Sequence, residues 1–260
     1  MYFKNCLLIL VMLFLSGLLK SQTLFHLSDY QMIRNSIVAQ KSFFLSSNLY
    51  TSCGNDFLLK ELMNVQLTGQ LVVRDNVLCM QMSHNGYSKY GNLTTSIAYA
   101  RQFGKKLAVG LRFHYLYQHV EQYESMHSVT FDISLFAFVT KKLSFGFEVY
   151  NPARLKYGFR GTNLIPMKFT VQAQYKYSDK LLFMIDLYKR LPGEFDVSLG
   201  AYYHPLNYFY LAFDVSLMYA DIGVMLRCGH FYFTIDLKYN YRLGFSPEVG
   251  LVYQFQRLKK

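Results

Sequence analysis

From about residue 62 to residue 255 the chain alternates apolar and polar side chains, one residue at a time. Segments 107–117, 167–177 and 231–241 share this layout, and the apolar face of each ends in tyrosines. Because successive side chains of a strand point to opposite faces, each segment is apolar on one side and polar on the other. Such segments, about ten residues long with aromatic ends, are typical of a transmembrane β-barrel. A soluble barrel or sandwich would share the alternation, but the aromatic ends favour a membrane. The sequence therefore predicts an all-β fold, a transmembrane antiparallel up-and-down barrel.

Alternating runs separated by turn residues predict thirteen strands. They cover residues 62–73, 76–84, 92–102, 106–117, 128–139, 142–150, 166–177, 180–188, 195–203, 207–217, 221–228, 230–241 and 246–255. Because bacterial single-chain barrels have even strand numbers, we expect one more strand, about fourteen in all. Lys41–Tyr50 is the best candidate, so the barrel is predicted to occupy residues 41–260.

The first residues, 1–21, have the pattern of a cleaved secretory signal peptide. Lys4 supplies the positive charge, Cys6–Leu19 is apolar, and a small residue precedes the cleavage point at Gln22. An uncleaved membrane anchor is the alternative, but a spanning helix needs about 20 apolar residues. Residues 22–40 are expected to form a short N-terminal periplasmic or lumenal segment. A secreted chain with a lipid-facing barrel predicts the bacterial outer membrane.

The composition agrees with a barrel rather than with membrane helices. Hydrophobic residues make up 52% of the chain, yet the mean hydropathy is only +0.10 because polar residues interleave. The formal charge is +11, and many bases lie in inferred turns such as Lys105–Lys106 and Lys141–Lys142. Because these bases are scattered at strand ends and form no stripe, we expect them to contact lipid headgroups and not nucleic acid.

The predicted connections alternate in length, which indicates an orientation. The short turns are Arg74–Asp75, Phe103–Lys105, Thr140–Lys141 and Ser178–Asp179. The longer connections lie near 51–61, 85–91, 117–127 and 151–165. Short turns are typical of the periplasmic side of such barrels, so both termini are predicted to lie in the periplasm. The last strand ends at the aromatic Phe255, before the basic tail Gln256–Lys260.

Several short motifs resemble a known group of barrels. They are Gly86–Asn92, Ile97–Arg101, Gly104–Gly110, Tyr150–Pro152, Tyr177–Lys180 and Leu243–Leu251. Over residues 55–255 the chain resembles the Bacteroidetes outer-membrane barrels of the PorV/PorQ group, which is related to the FadL-type transporters. The resemblance implies passage of hydrophobic small molecules or an accessory role in type IX secretion. Relatives carry a glycine-rich N-terminal hatch, whereas Gln22–Cys53 lacks glycine, so we expect no such hatch here. A brief helix around Ile33–Val38 before the first strand is allowed.

Ionisable side chains of both signs fall on the polar face of the predicted strands. They are Arg112, His114, Asp132, Glu148, Lys168, Lys176, Asp186, Asp196, Asp214, Asp236 and Lys238. Two interpretations stay open: a polar conduit or binding site, or paired charges that fill a closed barrel. By the same parity Cys79 faces the lumen and Cys228 faces lipid, so no disulfide between them is predicted.

No histidine lies in a recognisable serine-hydrolase motif, and neither zinc-ligand spacing nor a phosphate-binding loop is present. We therefore predict no enzymatic activity, no metal site and no cofactor. The expected function is that of a PorV/PorQ-type barrel that binds type IX secretion components or another partner. The alternative is a FadL-like conduit for small hydrophobic molecules. Outer-membrane lipid is an expected partner in both cases.

Overall fold

The computed structural model describes residues 37–43, 47–123, 125–157 and 164–255. Fourteen strands form one closed antiparallel barrel, in which each strand pairs with its neighbours in sequence and β1 pairs with β14. The strands are β1 Asn48–Asn55, β2 Met63–Val73, β3 Asn76–Gly86, β4 Tyr90–Phe103, β5 Leu107–Val120, β6 Met126–Phe138, β7 Leu143–Tyr150, β8 Met167–Lys176, β9 Leu181–Leu191, β10 Phe195–Leu206, β11 Phe209–Ser216, β12 Tyr219–Cys228, β13 Phe231–Asn240 and β14 Gly244–Gln254. A short helix, α1 (Val38–Lys41), precedes β1. The predicted fold class is confirmed.

The predicted strands from β2 onward agree with the observed ones to within three residues at each end. The prediction of the first strand at Lys41–Tyr50 was wrong, because β1 begins at Asn48. Lys41 belongs to α1, and Phe43 packs edge-on against Phe138 with ring centroids 4.8 Å apart. Phe43, which lies within that predicted strand, therefore packs inside the barrel. The first long connection correspondingly covers residues 56–62, where two short 3₁₀ turns lie, and not 51–61.

The outer face of the barrel is apolar, as the alternation predicts. On β5, Leu111 and Phe113 are 37% and 58% exposed, whereas Arg112 between them is 9% exposed. Exposed aromatic side chains form a girdle near each end of the barrel. One girdle contains Tyr99, Phe103, Tyr175, Tyr177, Tyr203 and Tyr208, and the other contains Tyr87, Tyr115, Tyr123, Tyr239, Tyr241 and Phe245. Aromatic rings at both edges of an apolar band are the arrangement that a lipid bilayer favours.

The two ends of the barrel differ in their connections. The terminal end carries both ends of the barrel chain and turns of two to four residues, among them 74–75, 104–106, 139–142 and 177–180. The loop end carries the longer connections 56–62, 121–125 and 151–166, but only short turns after β9. The predicted long connections near 51–61, 117–127 and 151–165 are thus longer than the turns at the terminal end, but the one predicted near 85–91 was wrong, because only residues 87–89 separate β3 from β4.

Among the described residues no helix is long and apolar enough to cross a membrane. The predicted signal peptide 1–21, the rest of the segment up to residue 36 and the tail 256–260 lie outside the described residues.

Candidate ligand cavity in the barrel lumen

The segment Ile37–Phe43, here called the plug, lies inside the barrel near the terminal end. Every plug residue before Phe43 is at most 7% exposed. The Ala39 backbone N–H donates a hydrogen bond to Ser134 Oγ over 3.0 Å, and the Gln40 and Gln174 side-chain amides bond to each other at 3.2 Å. The plug is therefore held by polar contacts and by packing against the wall formed by β4, β5 and β6.

The wall beneath the plug contains glycines at two points of close approach. A Cβ atom added to Gly110 would lie 2.9 Å from the backbone nitrogen of Ala39, and one added to Gly146 would lie 2.6 Å from Ile37 Cδ1. The other buried wall residues that cluster with the plug include the alanines Ala98, Ala100 and Ala108, together with the larger Val77, Cys79 and Phe136. Glycine at position 110 is therefore required for the close approach of the plug backbone, and glycine at position 146 leaves room for the Ile37 side chain.

The opposite wall fills the same half of the lumen with apolar side chains. One buried cluster, supplied by β1 and β9–β14, contains Tyr50, Leu182, Met184, Tyr202, Tyr210, Ala212, Met225, Tyr232 and Val252. Most of these side chains lie near the strand ends at the terminal end of the barrel. Together with the plug, this cluster fills the terminal half of the lumen.

A network of four ionisable side chains lies midway along the lumen. Arg112 Nε donates to Asp132 Oδ2 at 2.6 Å, and Arg112 Nη2 lies 3.3 Å from Glu148 Oε2. His114 Nε2 lies 2.8 Å from the same Asp132 oxygen, while its Nδ1 lies 2.7 Å from Ser96 Oγ. Since Asp132 is fully buried, the guanidinium supplies the opposite charge that a buried carboxylate requires.

Beyond this network, toward the loop end, the lumen contains a cavity of about 510 Å³. The lining residues come from β3–β5, β7–β10 and β12. They are Gln81, Thr94, Ser96, Arg112, His114, Glu148, Tyr150, Lys168, Thr170, Gln172, Met184, Asp186, Tyr188, Asp196, Ser198, Tyr202 and Tyr219. This mixture of charged, amide, hydroxyl and aromatic groups suits a small molecule that has both a polar group and an apolar part.

Three charges that line the cavity form no ion pair with any described residue: Lys168, Asp186 and Asp196. Lys168 Nζ lies 5.2 Å from the centroid of the Tyr150 ring. Asp196 Oδ1 accepts backbone N–H bonds from Val197 and Leu217. These charges are available to a bound molecule, unlike Arg112, which two carboxylates already neutralise.

The structure brings six of the eleven predicted polar residues to the cavity wall: Arg112, His114, Glu148, Lys168, Asp186 and Asp196. Asp132 lies behind Arg112, and Asp214 accepts a hydrogen bond from Tyr202 at 3.2 Å. The others lie elsewhere: Asp236 opposite Glu248, Lys238 over the Tyr219 ring, and Lys176 paired with Asp179 near the terminal end. The structure thus contains a network of paired charges and, next to it, a cavity whose wall carries charges that form no ion pair with a described residue.

Sequence reasoning missed the tyrosines of the cavity, Tyr150, Tyr188, Tyr202 and Tyr219, and the wall acids Asp221 and Glu248. Tyr150, Tyr188 and Tyr202 have the parity of neighbouring charged residues on their own strands. That shared parity is the signal that could have identified them. Among the described residues, no group of three or more His, Cys, Asp or Glu side chains could hold a metal ion.

No protein-family model matches the chain, and the comparison with curated proteins finds no match. Solved barrels are similar in fold. A structure described as the CymD monoaromatic hydrocarbon channel has a TM-score of 0.64 at 10% identity, covering 87% of this chain and 93% of that one. The Pseudomonas putida toluene transporter TodX has a TM-score of 0.63 at 9% identity, with the same two coverages. At such identities the similarity shows the fold alone.

Proposed function

We propose that this protein is an outer-membrane conduit for small organic molecules, with the lumenal cavity as its binding site. The observation that carries the proposal is the cavity of about 510 Å³ inside a closed barrel, lined by polar groups that include three charges without an ion pair to any described residue. A barrel whose only task is to present its rim to a partner needs no such interior. The mechanism is binding and passage, and it includes no catalytic step.

The plug sets the path through the lumen. A molecule in the cavity is separated from the terminal end by the plug and the apolar cluster around Tyr202 and Tyr232. The contacts of the plug with the wall include the Ala39 N–H bond to Ser134, the reciprocal amide bonds between Gln40 and Gln174, and a contact of 3.9 Å between Lys41 Nζ and Cys79 Sγ. Passage through the lumen therefore requires the plug to move.

The outer surface supports the location and the orientation. The apolar band with two aromatic girdles suits a bilayer. The short turns at the terminal end carry exposed bases, namely Arg74, Lys105, Lys106, Lys141, Lys142 and Lys180. Such bases suit the phosphates of lipid headgroups. We therefore assign the terminal end, and with it both termini, to the periplasm.

Two interpretations of the family resemblance remain. Docking of type IX secretion components, and membership of the PorV/PorQ group, rest on the sequence motifs alone. The conduit is favoured by the cavity, and the similar solved barrels are themselves described as a hydrocarbon channel and a toluene transporter. The five charged residues on the cavity wall favour molecules that carry a polar group over pure hydrocarbons.

Osmotic swelling of proteoliposomes tests the proposal. Full-length protein is reconstituted, and the vesicles are diluted into isotonic L-arabinose, a small uncharged solute. We expect faster swelling than in empty vesicles, and faster swelling still after deletion of residues 37–43. If both proteins leave the vesicles as impermeable as empty ones, the conduit is wrong. Capture of secretion components by such a non-conducting barrel would then support the docking role.

A further inference from the structure

Two carboxylates on one wall of the cavity are neighbours. Asp186 on β9 lies opposite Ser198 on β10, and Asp196 is two residues before Ser198 on the same face. Diagonal neighbours of this kind have side chains about 7–8 Å apart. Neither carboxylate forms an ion pair with a described residue, and Asp186 Oδ1 is buried without a hydrogen-bond partner. A carboxylate taken out of water without an opposite charge is unfavourable, and a bound cation would offset that cost.

A tyrosine is adjacent to both acids. Tyr188 is directly opposite Asp196 and two residues beyond Asp186 on the same face of β9. Tyrosine rings attract cations through the negative charge on their faces. The lumen already uses this contact, since Lys238 Nζ lies 3.9 Å from the centroid of Tyr219 and Lys168 Nζ lies 5.2 Å from that of Tyr150.

Lys168, the cation on the cavity wall that forms no ion pair with a described residue, lies away from the two acids. Gln172 is the partner of Asp186, and Lys168 is four residues from Gln172 along β8, opposite Arg190. Four residues of a strand span about 13 Å, which places Lys168 nearer the loop end. The uncompensated charge deeper in the cavity is therefore negative, because Arg112 is already paired with Asp132 and Glu148.

We infer that the cavity binds small organic ammonium ions, with the amine between Asp186 and Asp196 and against the Tyr188 ring. The rest of the molecule lies among the remaining tyrosines and Met184. This inference rests on the proposed function, since it names the class of molecule that the conduit takes. An organic cation fits better than a metal ion, because the described residues hold no set of metal ligands.

Isothermal titration of the purified full-length barrel with three probes of the same size tests the inference. The probes are benzylammonium, neutral benzamide and anionic benzoate. We expect benzylammonium to bind at least tenfold more tightly than benzamide, and benzoate to bind most weakly. Asp186→Asn and Asp196→Asn should each weaken benzylammonium about tenfold, which is about 1.4 kcal/mol. Asp236→Asn removes the same charge from a wall position outside the cavity and should change the affinity less than twofold.

Lys168→Met removes a positive charge from the cavity wall. It should therefore raise the affinity for benzylammonium and lower the affinity for benzoate further. Equal affinities of the unaltered barrel for benzylammonium and benzamide would overturn the inference, whatever the variants do. So would unchanged benzylammonium binding in a heat-modifiable Asp186→Asn/Asp196→Asn barrel. After either result, the proposed conduit function would still stand if arabinose enters the vesicles. Selective binding without any swelling would instead support the cation site and refute the conduit.

Discussion

Arg112 and Asp132 lie directly opposite each other on β5 and β6, and Arg112 Nε is 2.6 Å from Asp132 Oδ2. The carboxylate is fully buried, and its second oxygen, Oδ1, accepts no hydrogen bond in the described part of the chain. The guanidinium also reaches Glu148 on β7, so one cation joins three adjacent strands. The pair marks the level in the lumen at which the plug region ends and the cavity begins.

Replacing Arg112 by methionine should destabilise the barrel by about 3–5 kcal/mol, because two buried carboxylates lose their counter-charge. Urea unfolding in detergent, followed by heat-modifiable gel mobility, measures this change. The matched control is Lys176→Met, whose partner Asp179 is exposed, and it should cost less than about 1 kcal/mol. The triple variant Arg112→Met/Asp132→Asn/Glu148→Gln should recover most of the loss. Equal losses for Arg112→Met and Lys176→Met would contradict a buried network.

Charge on the lipid face should be far more damaging than charge in the lumen. Leu111→Arg or Val171→Arg should cost about 2–4 kcal/mol, since both side chains point into the bilayer near its middle. Gln172→Arg should be much milder, because the new cation would lie opposite Asp186. The urea midpoints of unfolding of the three variants, compared with that of the native barrel, measure these losses of stability. Equal damage at Val171 and Gln172 would show that the faces have been assigned the wrong way round.

The plug should be removable without loss of the barrel. Deletion of residues 24–43 should leave a closed, heat-modifiable barrel, whereas deletion of β1, residues 48–55, should prevent closure because β1 joins β2 to β14. Gly110→Val should displace the plug by steric clash with Ala39. In planar bilayers the plug deletion and Gly110→Val should therefore conduct more than the full-length protein. A barrel that fails to assemble without the plug would show that the segment is structural.

Asn151 should organise the connection between β7 and β8. It is fully buried with a φ of 53°, a left-handed conformation that asparagine tolerates well. Its side-chain oxygen accepts bonds from Thr130 Oγ1 and Leu155 N, and its amide nitrogen donates to the Ile165 carbonyl. Asn151→Ala should cost about 1–3 kcal/mol, because buried partners are left unsatisfied. Trypsin should then cleave at Arg154 and Lys156 faster than in the native barrel, and unchanged cleavage would contradict this role.

The alternation of apolar and polar side chains was sufficient to predict the barrel. Because one face of each strand contacts lipid and the other faces a polar lumen, nearly every strand has a two-residue period. This alternation placed Arg112 and Asp132 on the inner face, but their contact depends on the β5–β6 register, which the turn after Val120 sets. The membership of Tyr50 on β1 and Tyr202 on β10 in one buried cluster could not be predicted, because contacts across a barrel join distant strands. The first strand was misplaced because Phe43 reads as a lipid-facing residue although it packs in the lumen.

Locking the plug tests the central claim most directly. Ala39 and Ser134 are in contact, so Ala39→Cys/Ser134→Cys, with Cys53, Cys79 and Cys228 replaced by serine, would link the plug to the wall when oxidised. Liposome swelling in L-arabinose is then measured before and after reduction of the disulfide. If small molecules pass through the lumen by movement of the plug, oxidised vesicles should swell no faster than empty ones, and reduction should restore the rate of the full-length protein. Equal swelling of oxidised and reduced vesicles would contradict the account.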